Sequence, residues 1–133
     1  MGSVHRLVAQ LPPVHVLNAE YERLADIICA SPLATDGLAL LWSELMRAAV
    51  INPEDAPADL VRMNSVVRYT VLQTGVQRIV RLVYVGKESG DVQITTTLGA
   101  ALIGLHPGAT FVWKEDGVTR AIRIEAVGPT PLR

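Results

Sequence analysis

The sequence predicts an α+β protein, in which an N-terminal antiparallel helical hairpin precedes a mostly antiparallel β-sheet with one short helix. Before Asn52 the apolar residues recur at the spacing of amphipathic helices. From Leu60 onward apolar and polar residues alternate instead, which is the pattern of strands. The Asp116-Gly117 pair between two alternating stretches favours a tight hairpin turn. About five strands are expected.

Two amphipathic helices account for the N-terminal part of this prediction. We expect Asn18 to cap the first helix and Pro32 to end it. The second helix is expected to start at Thr35 or Asp36, and a link of about five residues makes the two helices antiparallel neighbours. Its apolar stripe is clear and consists of Leu38, Leu41, Trp42, Leu45, Met46 and Ala49.

Alternation of apolar and polar residues predicts the strands of the sheet. They are expected at residues 66–72, 76–85, 92–96, 111–114 and 118–127, with the short helix between the third and the fourth. The stretch 76–85 is apolar on both faces, with Ile79 and Val85 on one and Leu82 on the other. A strand of this kind is expected to be central and covered on both sides.

Composition narrows the class of protein. Half of the 133 residues are hydrophobic and the formal net charge is -1, which disfavours a protein whose main task is to grip nucleic-acid phosphates. Cys29 is the single cysteine, so an intramolecular disulfide is excluded, and we expect it to be a buried packing residue. Apolar runs are too short for a membrane helix, and no secretion signal is recognised. We therefore expect a soluble, cytoplasmic protein with no membrane partner.

No group of residues has the pattern of a catalytic or metal site. His5, His15 and His106 lie far apart in the sequence and are expected to be surface or turn residues. No GxxxxGK[ST] loop is present, and no GxGxxG motif follows a strand. No cysteine or serine is paired with a base in the pattern of a nucleophile. We predict no catalytic residues, no cofactor and no metal.

Three motifs resemble a known family. They are TTLGAALIGLHPGATFVW at 96–113, RMNSVVRY at 62–69 and RLVYVG at 81–86. In this order they are similar to the Gre transcription factors, and most closely to the short-hairpin Rnk family of that superfamily, over residues 18–127. From the residues we expect a peripheral segment at 1–17 and a short helical hairpin at 18–52. The resemblance implies that 53–133 is an FKBP-like domain of the Gre C-terminal type.

The resemblance also implies a function. We expect a non-enzymatic transcription regulator that binds RNA polymerase near the secondary channel and competes with Gre-type factors without stimulating transcript cleavage. No direct nucleic-acid specificity is implied, and the protein is expected to be a monomer or a weak homodimer. An effect on nucleoside diphosphate kinase, which the family name suggests, is expected to arise indirectly through transcription.

Two groups of candidate residues follow from the resemblance. The loop before the short helix, Thr95, Thr96, Thr97 and Leu98, is implied to contact polymerase, with Thr96-Thr97 in place of the family's serine-proline. The alternative is a plain strand end. The hairpin tip comprises Leu33, Thr35 and Asp36, and it has one carboxylate where Gre factors have an acidic pair. The alternative for Asp36 is an ordinary helix cap.

Two other functions remain open at this stage. By analogy with its fold the protein would be a peptidyl-prolyl isomerase, which requires an aromatic-lined pocket. The aromatic residues of the sheet domain are Tyr69, Tyr84, Phe111 and Trp113, and the sequence does not show that they converge. The protein would otherwise be an interaction module for another partner.

Overall fold

The computed structural model describes residues 11–31 and 34–128. These residues form a mixed α+β fold, as the change of hydrophobic period predicts. The elements, in chain order, are β1 (His15–Leu17), α1 (Asn18–Ala30), α2 (Asp36–Arg47), β2 (Ala49–Ile51), a 3₁₀ turn (Pro53–Asp55), β3 (Val66–Val71), β4 (Gln77–Val83), β5 (Asp91–Gln93), α3 (Thr97–Leu102), β6 (Thr110–Glu115) and β7 (Val118–Gly128).

Five strands form the main sheet in the order β5-β4-β3-β7-β6. All neighbours are antiparallel except β4 and β5, which are parallel. The β6–β7 hairpin turns at Asp116 and Gly117, whose φ values of 53° and 77° are the left-handed conformation that this type of turn requires. A register shift between Arg68 and Tyr69 bends β3 against β7.

The strand at 76–85 differs from the prediction. β4 is shorter, Gln77–Val83, and Ile79 is 46% exposed, so its first half is not covered on both sides. Its apolar pattern correctly places alternate residues on opposite faces, but it does not reveal that one face stays open. The third strand is likewise shorter than expected and ends at Gln93, where the chain turns toward α3.

The segment before α1 is not peripheral where the structure describes it. Val14, Val16 and Leu17 are each under 5% exposed. β1 pairs with β2 in a parallel two-stranded sheet, and the amide of His15 donates to the carbonyl of Gly104 at 3.1 Å. The expected peripheral placement of residues 1–17 is therefore wrong for 14–17, whose apolar side chains enter the core; residues 1–10 lie outside the described part.

The start of α1 also differs from the prediction. Leu17 occupies the capping position without a side-chain hydrogen bond, and Asn18 is the first helical residue. β1 continues into α1 without a linker, which leaves no room for a separate cap. The helix ends at Ala30, and Pro32, which was expected to end it, lies outside the described residues.

One hydrophobic core joins the helices to the main sheet. Leu24 of α1 and Leu41 of α2 belong to the same buried cluster as Leu82, Phe111 and Ile124 of the sheet. Because both segments contribute to this core, it does not separate them. The division into a helical segment at 18–52 and a sheet domain at 53–133 stays a prediction. Within the described ranges no helix combines the length and apolarity that crossing a membrane requires.

Candidate functional site

The loop that enters α3 is held by its own threonines. The Thr96 hydroxyl oxygen accepts a hydrogen bond from the amide of Gly99 at 3.0 Å and donates to the carbonyl of Gln93 at 2.7 Å. Thr96 is therefore the N-cap of α3. The Thr95 hydroxyl oxygen accepts from the side-chain amide of Gln93 at 3.0 Å. These contacts fix the backbone of the predicted polymerase-binding loop, so a plain strand end does not describe it.

Thr97 connects this loop to β6 through Glu115. The Thr97 hydroxyl donates to Glu115 Oε1 at 2.8 Å, and the indole N–H of Trp113 reaches the same oxygen at 3.4 Å. Nε of Arg120 lies 3.9 Å from it. Leu98, the last residue of the predicted loop, is half-buried and packs against the core. Glu115 is not among the residues that the sequence predicts for this site, and its position beside the Asp116-Gly117 turn is the one sequence feature that points to it.

The predicted hairpin tip is built around the start of α2. The Thr35 hydroxyl oxygen accepts from the amide of Leu38 at 3.1 Å, so Thr35 is the N-cap. Asp36 is the first helical residue, where a carboxylate is favoured by the helix dipole. Leu33 lies outside the described residues. The capping role expected for Thr35 or Asp36 is confirmed for Thr35.

The two predicted groups lie on one surface. A cleft of about 610 Å³ separates the start of α2 from the loop before α3. We call it the tip cleft, and its lining residues are Ser31, Thr35, Asp36, Gly37, Leu38, Gln93, Thr95, Thr96, Thr97 and Glu115. At its floor Gly37 is packed so closely on the carbonyl of Thr95 that a Cβ atom there would overlap the oxygen. Tip and loop, about 60 positions apart in the sequence, are thus in contact.

Helix α2, which carries the tip, is anchored at its other end by a buried ion pair. Glu44 is 1% exposed, and its two carboxylate oxygens accept from Nε and Nη2 of Arg47 at 3.1 and 2.7 Å. Arg47 also donates to the carbonyl of Pro12 at 2.6 Å. Burial raises the pKa of Glu44 above its usual range, although Arg47 counteracts this. The ion pair fixes α2 against the N-terminal segment.

Helix α1 is held to the sheet domain by two contacts of its first turns. Glu20 accepts from the amide of Met63 at 3.2 Å, and the guanidinium of Arg23 lies 3.8 Å from the ring centroid of Tyr84. Burial raises the pKa of Glu20, and the hydrogen bond from Met63 opposes this rise. Both helices therefore lie against the sheet domain.

Of the four aromatic residues considered for an isomerase pocket, two line a common groove. Tyr69 and Trp113 line one groove of about 400 Å³ beside the start of α3. We call it the aromatic groove, and its other lining residues are Val71, Gln73, Thr74, Thr97, Leu98, Glu115, Val118, Thr119, Arg120, Ala121 and Ile122. Phe111 is buried, with its ring centroid 5.9 Å from that of Trp113. Tyr84 lies under Arg23 instead.

The exposure of Cys29 and the contact between two histidines differ from what the sequence predicts. Cys29 is exposed on α1, so the prediction of a buried packing residue is wrong; it falls outside the narrow buried stripe of this helix. His15 and His106 pack edge to face with centroids 5.2 Å apart, although they are 91 positions apart in the sequence. Among the described residues no three His, Cys, Asp or Glu side chains are grouped to hold a metal ion.

No protein-family model matches the chain. The regulator of nucleoside diphosphate kinase from Escherichia coli is 35% identical over 112 residues, which cover 80% of this chain and 81% of that protein. The protein of the same name from Shigella flexneri matches to the same extent. The chain belongs to the family of the regulator of nucleoside diphosphate kinase. This confirms the resemblance to the Rnk family that the three motifs indicated.

A solved structure shows that the fold of this Rnk-family chain is similar to that of a transcription elongation factor. The prokaryotic transcription elongation factor GreA/GreB from Nitrosomonas europaea superimposes with a TM-score of 0.68 and 32% sequence identity. The match covers 88% of this chain and 98% of that structure. The protein therefore has a Gre-type fold and a regulatory role related to transcription elongation.

Proposed function

We propose that this protein binds RNA polymerase near the secondary channel and competes there with Gre-type factors by occupancy. The observation that carries the proposal is the tip cleft, where the tip residues Thr35 and Asp36 face the loop Thr95–Thr97. The family resemblance assigns polymerase contact to the loop, and it singles out the hairpin tip as the part that enters the channel in Gre factors. Because they share one cleft, we infer that they form a single docking surface of polar side chains, to which Leu38 contributes apolar surface.

The chemistry of the tip supports occupancy without stimulation of cleavage. A Mg²⁺ ion that promotes transcript cleavage needs several carboxylate or water oxygens as ligands. The protein usually contributes a pair of acidic side chains. Among the described tip residues Asp36 is the acid, and Glu115 across the cleft is already engaged by Thr97 and Trp113. Helix α1 has 13 residues and is therefore about 20 Å long. A helix pair of this length, docked on its own sheet domain, does not extend far into a channel.

The relatives' name describes an effect on nucleoside diphosphate kinase. We propose that such an effect arises indirectly, through altered transcription. The lining of the tip cleft contains no lysine or arginine, so it offers no cationic side chain for the phosphates of a nucleotide. The protein is proposed to act in the cytoplasm as a monomer or weak homodimer.

A competition assay tests the proposal. The full chain is titrated against core RNA polymerase that carries a labelled Gre factor, and displacement of the label is measured. Thr95→Lys places a charge in the tip cleft and is expected to abolish displacement. Thr110→Lys is the matched control, because Thr110 is an exposed threonine at the start of β6 and outside the cleft. We expect this control to displace the label as the wild-type protein does.

The second arm of the assay measures transcript cleavage in backtracked complexes. The wild-type protein is expected to leave the basal cleavage rate unchanged and to suppress the rate that a Gre factor adds. Failure to displace the Gre factor at concentrations that saturate the factor's own binding would refute the docking proposal. Stimulated cleavage would refute the occupancy mechanism alone.

A further inference from the structure

Part of the apolar stripe of α2 points away from the core. Leu41 and Leu45 are buried, whereas Trp42 and Met46 of the same stripe are 46% and 66% exposed. Met46 is the most exposed large hydrophobic residue in the described part of the chain. A single exposed apolar side chain needs no explanation, but neighbouring ones form a patch that marks an interaction site. Docking at the tip cleft does not account for this patch, because the lining of the cleft includes neither Trp42 nor Met46.

The exposed face of α2 carries no charge. After Asp36, the exposed positions of the helix form what we call the α2 face, which consists of Ala39, Trp42, Ser43 and Met46. Steps of three and four residues bring these positions to one side of the helix. The charged residues farther along the helix, Glu44 and Arg47, form an ion pair with each other, and Glu44 is 1% exposed. A partner that is recognised by its charge therefore finds no complementary group on the α2 face.

The order of large and small residues along the α2 face fits a second copy of the same helix. The middle of the face lies between Trp42 and Ser43. When two copies cross there in antiparallel directions, a two-fold axis relates them, and residues equally far from the middle face each other. Met46 of each copy then lies against Ala39 of the other, so a long side chain meets a small one. The two Trp42 rings meet beside the axis, where aromatic pairs are favourable and the small Ser43 leaves space for them.

Charge and area both bear on what covers the α2 face. Identical copies bring like charges together at a two-fold axis, and like charges in an interface cost affinity, so an uncharged face suits self-association. The patch is small, however. With Trp42, Met46 and Val50 about half exposed, two copies bury on the order of 800 Å² in total, which is about half of a standard stable interface. A dimer of this size is weak and transient.

We propose that the α2 face is the interface of a weak homodimer, in which two copies of the chain pair in antiparallel orientation. The C-terminal end of α2 in one copy then lies beside Thr35 and Asp36 of the other, and it covers one side of the tip cleft. If polymerase docks at the tip cleft, as proposed above, the monomer is the form that docks. This consequence rests on the proposed function, whereas the dimer itself does not.

Sedimentation velocity of the full chain tests the homodimer. We expect the sedimentation coefficient to rise between about 10 µM and about 1 mM, the range of dissociation constants that suits so small an interface. Met46→Glu places an unpaired carboxylate in the interface and should keep the protein monomeric. Val85→Glu is the matched control, because Val85 lies just after β4 and is 63% exposed, and it should associate as the wild-type protein does. A wild-type protein that stays monomeric up to about 1 mM, or equal association of Met46→Glu, would overturn the proposal.

A charge exchange tests the antiparallel orientation. Ala39→Lys is combined with Met46→Glu in one chain, so that the introduced lysine of each copy faces the introduced carboxylate of the other. Within one helix these two positions are about 10 Å apart along the axis and do not pair. The double variant should therefore regain association at low salt and lose it at high salt. A double variant that stays monomeric, like Met46→Glu alone, would overturn the antiparallel arrangement.

Other occupants of the α2 face give a different signal. The indole N–H resonances of the ¹⁵N-labelled protein are recorded at increasing concentration, with Trp113, which is 8% exposed and outside the α2 face, as the internal control. A homodimer shifts the Trp42 resonance with concentration and leaves that of Trp113 unchanged. Coverage of Trp42 by residues 1–10 of its own chain makes its resonance independent of concentration, and that result would overturn the proposal. Neither measurement uses polymerase, so failure of the dimer leaves docking at the tip cleft untouched, and failure of docking leaves the dimer untouched.

Discussion

Replacement of Gly37 by alanine tests whether the hairpin tip rests on the loop before α3. Gly37 lies in the first turn of α2 and is buried. A Cβ atom there would overlap the carbonyl oxygen of Thr95 and would lie 2.9 Å from the carbonyl carbon of Thr96. Both neighbours are backbone atoms of a loop that the Thr96 cap and the Thr97–Glu115 hydrogen bond hold in place. The clash cannot be relieved by rotation of a side chain.

Two opposing terms set the size of the effect. Alanine is favoured over glycine inside a helix by up to about 1 kcal/mol, and by less in a first turn. Overpacking of a buried site costs about 1–3 kcal/mol, and we expect the upper end because the backbone itself must move. The net loss in the free energy of unfolding is therefore about 2 kcal/mol. For a chain of this length that loss lowers the Tm by about 8 °C.

Urea unfolding of the full chain measures this loss. Gly86→Ala is the control, because Gly86 has no heavy atom nearer than 3.8 Å to its added Cβ and should tolerate the methyl group. The slope of the transition should be equal in all three proteins if only stability changes. A Gly37→Ala protein as stable as the wild type would refute the inference that α2 rests on the Thr95 carbonyl, and with it the shared surface.

The remaining predictions concern the cap and the buried carboxylates. Thr96→Ala should destabilise the protein by about 1 kcal/mol through loss of the α3 cap, and Thr96→Ser should restore most of it. Glu44→Ala should cost about 3 kcal/mol because Arg47 loses its carboxylate partner and keeps only the carbonyl of Pro12, whereas Glu44→Gln should cost much less, since burial already disfavours the ionised form. Because burial raises the pKa values of Glu20 and Glu44 above 4.5, the folded protein keeps these protons to a higher pH than the unfolded chain does. The free energy of unfolding should therefore fall as pH rises from about 4.5 through the raised values, and Glu44→Gln should flatten that fall in urea titrations at several pH values.

Local patterns were sufficient to predict most secondary structure. The stretch at 96–105 contains helix α3, and Asp116-Gly117 forms the predicted turn because both residues adopt positive φ angles. The change of period near Leu60 correctly separates α1 and α2 from the strands of the main sheet, although it does not predict β1 and β2. These features depend on neighbours within a few positions, so one sequence contains the information that determines them.

The errors arise where long-range packing decides the outcome. Asn18 is a favourable cap residue, but β1 runs directly into α1 and leaves Leu17 in the capping position. Apolar residues of β4 stand on both faces, as in a covered strand, yet Ile79 is 46% exposed in the described part of the chain. The burial of Val14 and Val16 depends on the pairing of β1 with β2, which is more than 30 positions away. Periodicity assigns a face to a residue, but it does not identify what that face meets.

In the candidate site, too, the local segments could be predicted but their packing could not. The segments Thr35–Asp36 and Thr95–Leu98 could be selected from a family resemblance, but their contact could not, because it depends on the missing side chain of Gly37. That contact has a functional consequence. If polymerase recognises tip and loop as one surface, a substitution that separates them should weaken polymerase binding without removing any contacting side chain. Gly37→Ala is therefore expected to reduce displacement of a Gre factor, while Gly86→Ala leaves it unchanged. Reduced stability with unaltered displacement would show that polymerase recognises the loop alone.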